Sequence, residues 1–231
     1  MTYILGSLKE AFILIARLDP EFIRISWTSL RITGGAVFIS IILSLPAAFL
    51  IAANRFKGKM VLVTVLNTLM ALPTVVVGLL VYSFLCRRGL LGHFELLYTP
   101  YAMIAGQVIL ASPIITALTI SSLEGADTRI RKTAAALGAT ELQTVAMLAR
   151  ETSGMIAAAV IAGFGRVFAE VGVSMMLGGN IRNYTRNITT AIAFETSRGE
   201  FTLALALGIV LLLIAFAVNL LLQFIKGRRY V

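Results

Sequence analysis

Cysteine, histidine and charged residues are all scarce in this chain. Its 231 residues include one cysteine, Cys86, and one histidine, His93, and only 13% of them are charged. A single cysteine excludes an internal disulfide, and this pair leaves no ligand set for a zinc site and no histidine-based catalytic triad. No Gly-x-x-x-x-Gly-Lys-Ser/Thr loop occurs either, so the chain is not expected to bind a nucleotide through a phosphate loop. The sequence therefore predicts a chain without a metal site, without a bound cofactor and without enzymatic activity of its own.

The charges that are present give a formal net charge of +9. The basic residues are scattered among six segments and build no continuous basic face, so their pattern does not favour binding to nucleic acid. Anionic lipid headgroups account for most of them.

Long apolar runs dominate the chain, and 58% of its residues are hydrophobic. A soluble globule of this size and composition would expose large apolar patches. A helix needs about 20 apolar residues to cross a bilayer. Four uncharged runs have that length, and a fifth has it if Arg166 and Glu170 are accepted inside it. The sequence predicts an all-α membrane protein whose transmembrane domain, residues 20–226, has five spans at about 27–53, 60–86, 98–123, 152–179 and 201–225.

The N-terminal segment has too many charges to span. Apolar residues recur there at helical spacing and predict a helix lying along the membrane interface over residues 1–19. Asp19 and Pro20 are then expected as N-cap and first residue of the next helix. A cleaved signal peptide is disfavoured because Glu10 falls inside the would-be apolar core.

Orientation follows from the excess of Lys and Arg on cytoplasmic loops. Placing the turn at residues 55–59, the loop 124–151 and the end of the chain from Lys226 inside collects ten basic residues at higher density, against nine outside. We expect the N-terminus outside the cytoplasm and the C-terminus inside.

The polar loop 124–151 is the most specific feature of the sequence. Small residues at 133–136 favour a smooth helix, and Gly138 can adopt the positive φ that ends it. Thr140 can cap a second helix, and Gln143 completes a capping box. Two short helices joined at a glycine would suit docking into a groove of another protein.

A second interpretation of the same loop is an amphipathic helix resting on lipid. Its apolar face would consist of Leu137, Leu142, Val145 and Leu148.

The loop resembles the cytoplasmic loop of ABC importer permeases, in which Glu-Ala-Ala, three residues, Gly, nine residues and Ile-x-Leu-Pro follow one another. Gly138 and its neighbours Leu137, Ala139 and Thr140 match that pattern, whereas the opening Glu and the closing Leu-Pro are absent. Residues 164–172 and 178–200 resemble the tungstate branch of the molybdate/tungstate/sulfate permeases. The resemblance covers residues 20–226.

This resemblance implies the MetI-like type I importer permease fold. It further implies a homodimer that works with two cytoplasmic ABC ATPase subunits, which would bind the ATP, and with an extracytoplasmic oxyanion-binding protein. The ion would be tungstate, with molybdate or sulfate as alternatives; a channel of another class would need no docking loop. The residues implied to couple to the ATPase are Thr133, Ala134, Leu137, Gly138, Ala139, Thr140, Glu141 and Leu142.

Arg166 and Glu170 are the charges deepest in a predicted span. Four residues apart, they are expected on one helix face, where they can pair. Each would cost about 2.5–3.5 kcal/mol if it were inserted unpaired. They lie either beside the translocation path or in a structural clamp; the clamp is favoured because a fixed cation in the path would hold a divalent anion too tightly.

The predicted outer loop, residues 178–200, is rich in Asn, Thr and Arg. Its hydrogen-bond donors fit a doubly charged tetrahedral oxyanion. Headgroup anchoring or docking of a binding protein explains the arginines Arg182, Arg186 and Arg198 equally well.

Overall fold

The computed structural model describes residue 13 and residues 19–54 and 56–227. Except for Ile13, Asp19 and Gly227, the predicted interfacial helix (residues 1–19) and tail (residues 227–231) lie outside the described residues. All regular elements in the described part are helical, which confirms the predicted fold class.

Ten α-helices follow one another in the described part of the chain. They are α1 (Pro20–Ala53), α2 (Lys59–Met70), α3 (Thr74–Leu85), α4 (Pro100–Glu124), α5 (Thr128–Ala136), α6 (Glu141–Glu151), α7 (Ser153–Phe168), α8 (Gly172–Gly178), α9 (Ile188–Ser197) and α10 (Phe201–Gly227). A short 3-10 turn at Gly92–Phe94 lies between α3 and α4.

Three of the described helices are long and apolar enough to cross a membrane alone: α1, α4 and the Phe201–Leu221 part of α10. Two pairs of consecutive helices, α2 with α3 and α6 with α7, pass the same test when each bent pair is taken as one span. The described residues therefore hold three to five candidate spans.

The first long helix begins where the sequence predicts. Pro20 is its first residue, and Asp19 Oδ1 accepts hydrogen bonds from the backbone N–H groups of Glu21 at 2.8 Å and Phe22 at 3.4 Å. These N–H groups have no partner inside the helix, so Asp19 satisfies two of them.

The predicted span at residues 60–86 consists of two helices. Helix α2 ends at Met70, and Pro73 (φ −61°, ψ 125°) is the N-cap of α3. Proline has no N–H to donate and disfavours the helical conformation in the residue before it, which explains the break. Helices α1 and α4 continue through Pro46 and Pro113.

The predicted span at residues 152–179 is also divided, and this corrects the expectation for its two charges. Helix α7 ends at Phe168 and α8 begins at Gly172, so Glu170 does not lie on the helix that carries Arg166. The side chain and the carbonyl of Glu170 both bond outside α7, to Val173 N and to Thr189 Oγ1. These bonds stabilise a break that contains no proline.

The chain forms two compact units. Of the described residues, the first comprises 13, 19–36, 73–107 and 167–219. In it α3 packs against α8, and α8 approaches α4 closely at two glycines. A Cβ on Gly106 would lie 2.5 Å from Val173 Cγ1, and one on Gly178 would lie 2.5 Å from Met103 Sδ. Small residues allow such close helix packing in lipid.

Of the described residues, the second unit comprises 37–54, 56–72, 108–166 and 220–227. Its core is a cluster of Ala52, Ala53, Leu123, Val145 and Leu148. The ends of α1 and α4 thus pack against α6.

Candidate functional site

The connection between α5 and α6 has the geometry that the sequence predicts. Gly138 has φ +76°, and the N–H of Ala139 donates to the carbonyl of Ala134 at 3.0 Å, which closes the end of α5. Thr140 caps α6, and the predicted capping box with Gln143 is present. A glycine in the left-handed conformation followed at once by a capped helix fixes the direction in which the connection projects.

Helix α6 has two faces with different surroundings. Thr144, Val145 and Leu148 are buried, the last two in the core of the second unit. By contrast, Leu142 is 64% exposed, and Leu137, just before the glycine, is 79% exposed. The three leucines and one valine expected to form one lipid-facing surface are therefore divided: Val145 and Leu148 lie in a core, and Leu137 and Leu142 form an exposed apolar pair. Only two of the four residues remain exposed, so the apolar face required by the lipid interpretation is half as large as expected.

We call the exposed residues at this connection the hinge surface: Lys132, Thr133, Leu137, Gly138 and Leu142. Thr140 and Glu141 are exposed next to it, whereas Ala139 is half-buried and Ala134 is buried. Of the eight predicted coupling residues, Ala134 is thus the buried one.

An ion pair that no sequence pattern predicts lies at the start of the loop that carries this connection. Lys59 Nζ lies 2.9 Å from Glu124 Oε1 and also donates to the carbonyl of Asn54 at 3.3 Å. It joins the turn after α1 to the end of α4, where the hinge-bearing loop begins. The two residues are 65 positions apart in a chain without a repeat, so no local pattern signals the pair.

Glu170 and Arg166 have different surroundings. Glu170 is 4% exposed, and its Oε1 accepts a hydrogen bond from Val173 N at 3.1 Å. Arg166 is half-buried within α7. Their pairing stays a prediction.

The polar side chains of residues 178–200 mostly build the loop itself. Thr185 Oγ1 donates to the carbonyl of Gly178 and accepts from Ile181 N. Asn187 and Thr190 form a capping box at the start of α9, and both are buried. These side chains are committed to internal hydrogen bonds, and that disfavours the direct oxyanion contact considered from the sequence.

The three arginines of this loop lie beside carboxylates. Arg182 Nε donates to Glu21 Oε1 at 2.9 Å, and Arg186 Nη1 lies 3.7 Å from both Glu21 Oε1 and Glu195 Oε1. Arg198 Nη1 lies 3.8 Å from Glu195 Oε2. The hydrogen bond from Arg182 is the main cause that lowers the pKa of the Glu21 carboxyl below its ordinary value. The arginine charges are thus largely balanced by Glu21, at the start of α1, and by Glu195 in α9.

The first unit also contains a concavity that no sequence pattern predicts. It has a volume of about 650 Å³ and is lined by Leu79, Tyr82, Tyr98, Met175, Met176, Gly179 and Ile181. Tyr98 has φ +64°, and its N–H donates to the carbonyl of Leu177 at 2.8 Å. No sequence signal marks a tyrosine for this left-handed conformation.

Comparison with known proteins identifies the class. Residues 29–229 match the family "Binding-protein-dependent transport system inner membrane component". The chain belongs to this family of permease subunits, which are components of the inner membrane.

Its relatives include permeases for tungstate. The chain is 38% identical to the tungstate uptake system permease protein TupB of Peptoclostridium acidaminophilum, over 95% of this chain and 96% of the relative. It is 35% identical to TupB of Campylobacter jejuni, over 98% and 95% of the two chains. The molybdenum transport system permease protein ModB of Escherichia coli is 29% identical, over 85% and 93%.

Solved ABC transporters have the same fold. A bacterial alginate ABC transporter in complex with its alginate pentasaccharide-bound periplasmic protein gives a TM-score of 0.77 at 18% identity, covering 99% of this chain and 88% of that one. The inward-facing MetNI methionine ABC transporter gives 0.71 at 18% identity, covering 92% and 95%. The MetI-like type I importer permease fold predicted from the sequence is confirmed.

Proposed function

We propose that this chain is the membrane permease subunit of an ATP-driven importer that moves tungstate across the cytoplasmic membrane. The observation that carries the proposal is its similarity to two tungstate permeases over almost the entire length of all three chains. Similarity over the full length includes the loops and helix breaks as well as the shared spans.

In this function the permease forms a homodimer and works with two ATPase subunits in the cytoplasm. ATP is hydrolysed on those subunits, and this chain performs no chemistry of its own. The hinge surface docks into the ATPase subunit through Leu137 and Leu142. Two large apolar side chains that project at a rigid connection provide the anchor that a protein groove can bury.

Movement of the ATPase reaches the membrane through the buried face of α6. Val145 and Leu148 pack against Ala52 and Ala53 at the end of α1 and against Leu123 at the end of α4. Closely packed cores deform little, so a push on the hinge surface displaces these helix ends together with α6.

The permease itself binds the oxyanion weakly. The arginines of residues 178–200 lie beside Glu21 and Glu195, and a weak path allows an ion that has entered to leave again. An extracytoplasmic binding protein captures the ion and selects it among ions of similar shape and charge.

The proposed orientation places the hinge surface in the cytoplasm and the N-terminus outside. The higher density of basic residues in the segments assigned inside supports it. Lys59 and Glu124 also join two of these segments, the turn after α1 and the start of the loop 124–151.

Uptake of radiolabelled tungstate by cells with and without the gene tests the proposed function. We expect tungstate uptake to disappear with the gene, to return when the gene is restored, and to resist excess sulfate. Molybdate is measured in parallel, because the ModB relative makes it the nearest rival ion. Loss of molybdate or sulfate uptake with intact tungstate uptake would refute the ion assignment.

A further inference from the structure

The break between α7 and α8 brings a buried carboxyl group to the depth of a predicted span. Glu170 is 4% exposed and lies in a non-helical segment of the apolar run from residue 152 to residue 181. Ionisable side chains at membrane depth are rare and are usually functional. The hydrogen bonds of Glu170 show which helices it joins.

The side chain of Glu170 caps the helix that follows it. Its Oε1 accepts a hydrogen bond from Val173 N at 3.1 Å, whereas the N-cap residue Val171 provides no side-chain bond. The first N–H groups of a helix lack internal partners, and in lipid no water replaces them. Glu170 therefore stabilises the start of α8.

The backbone carbonyl of Glu170 is tied to a different helix. It accepts a hydrogen bond at 2.8 Å from the hydroxyl of Thr189, the second residue of α9. The same hydroxyl lies 3.0 Å from Asn187 Oδ1, so the carbonyl of Glu170 is the nearer of its two acceptors. Thr189 is 4% exposed, and the N–H of its neighbour Ile188 donates to Ser29 Oγ at 2.6 Å. One residue of the break thus bonds α8 through its side chain and α9 through its backbone.

The same place is closely packed against α3. A Cβ added to Gly172 would lie 3.1 Å from Thr74 Oγ1 and 3.2 Å from Val75 Cγ2, both at the start of α3. The first turns of α3 and α8 therefore meet at the break, beside the start of α9.

We propose that Glu170 and Thr189 are positioning residues that join α8 to α9, so that the two helices move as one body during the transport cycle. Without these bonds, the packing of α8 against α3 remains, but the segment 169–171 is constrained less. Movement that reaches the break then bends it instead of moving α8 and α9 together. This inference rests on the proposed function, because it assigns the pair a part in coupling ATP hydrolysis to transport.

The test compares variants in the complete transporter, with its ATPase subunits and binding protein, reconstituted in lipid vesicles. T189V removes the hydroxyl at nearly constant shape, and T189S keeps it. E170A removes the acceptor for Val173 N, and E170Q keeps an amide oxygen in its place. T119V is the matched control: Thr119 is fully buried, and its hydroxyl has no hydrogen-bond partner among the described residues.

The measured quantity is the number of oxyanions taken up per ATP hydrolysed. We expect T189V and E170A to lower this ratio by about tenfold, the scale of one lost bond to a buried polar group, while T189S, E170Q and T119V stay near wild type. A merely structural role would reduce the amount of folded transporter and leave the ratio unchanged. An unchanged ratio in T189V, an equal loss in T119V, or an equal loss in E170Q and E170A would each overturn the inference.

Amide hydrogen exchange of the purified complex tests the same link without transport. The segment Gly172–Gly178 should exchange about tenfold faster in T189V and E170A than in wild type or T119V. Equal exchange in all four proteins would refute the link. If the wild type transports no oxyanion, the proposed function fails, and the exchange data still decide whether Glu170 and Thr189 join α8 to α9.

Discussion

Thr140 and Gln143 cap each other across the first turn of α6. The N–H of Thr140 donates to Gln143 Oε1 at 2.8 Å, and the N–H of Gln143 donates to Thr140 Oγ1 at 3.3 Å. The pair stands directly after Gly138, so the helix that carries Leu142 starts at a fixed point and in a fixed direction. The proposed docking to an ATPase subunit depends on this rigidity.

Replacement of Gly138 by alanine should weaken docking. Its φ is +76°, and no atom lies within 4 Å of an added Cβ, so the strain comes from the backbone alone and amounts to about 1–2 kcal/mol. We expect the variant to retain less ATPase subunit in copurification, and asparagine to be tolerated better than alanine. The control is Gly199→Ala, since Gly199 has φ +81° and equally open surroundings in the predicted outer loop. Equal loss of the ATPase subunit in both variants would argue against a special role of Gly138.

The two faces of α6 should respond differently to substitution. Leu142→Gln alters an exposed side chain, so we expect unchanged thermal stability of the permease and loss of the copurified ATPase subunit. Leu148→Ala opens a cavity at a residue that is 1% exposed and should destabilise the protein by about 2–5 kcal/mol. Thermal unfolding in detergent and copurification, measured on both variants, separate the two effects. The docking assignment fails if Leu142→Gln keeps the ATPase subunit bound.

Gly106 should not tolerate alanine. A Cβ there would lie 2.5 Å from Val173 Cγ1 and 2.6 Å from Leu177 Cδ1, so α4 and α8 must separate or repack at a cost of about 1–3 kcal/mol. Gly34→Ala is the control, because Gly34 lies inside helix α1 with no atom within 4 Å of an added Cβ. It should leave the protein as stable as wild type or slightly more stable. A Gly106→Ala variant with the melting temperature of the wild type would contradict the packing described for the first unit.

The pair of Glu21 and Arg182 should give a stability contribution that depends on pH. The pKa of Glu21 is lowered in the folded protein, chiefly by its hydrogen bond from Arg182. The contribution is therefore fully present above the ordinary carboxyl pKa and is lost as the pH falls through the lowered value. We expect the wild type to melt slightly above Glu21→Gln at pH 7 and the difference to vanish at strongly acidic pH. High salt should reduce the difference at pH 7 as well, because the pair is exposed. A difference that grows on acidification would show that the sign is wrong.

Local signals in the sequence predict the hinge correctly. Gly138, Thr140 and Gln143 act within a few residues of one another, and the structure shows the predicted positive φ and capping box. The start of α1 at Pro20 and the all-helical class also follow from local patterns and apolar run length.

The features that the sequence does not predict depend on contacts between residues that are distant in the chain. The break at residues 169–171 is hydrogen-bonded to Thr189, nineteen positions beyond Glu170, and the Lys59–Glu124 pair spans 65 positions. Val145 and Leu148 have the same periodicity as the exposed Leu142, so only the packing of α1 and α4 reveals which residues are buried. The N-terminal prediction concerns residues outside the described part and stays a prediction.

The most direct test of the account is tungstate uptake into lipid vesicles that contain the purified permease and its ATPase subunits. We predict that labelled tungstate accumulates only when ATP and the binding protein are both present, and that Leu142→Gln reduces accumulation about tenfold by removing an apolar anchor of the docking surface. Uptake that proceeds without ATP would identify a channel. Uptake of a different solute with no response to tungstate would contradict the assigned function.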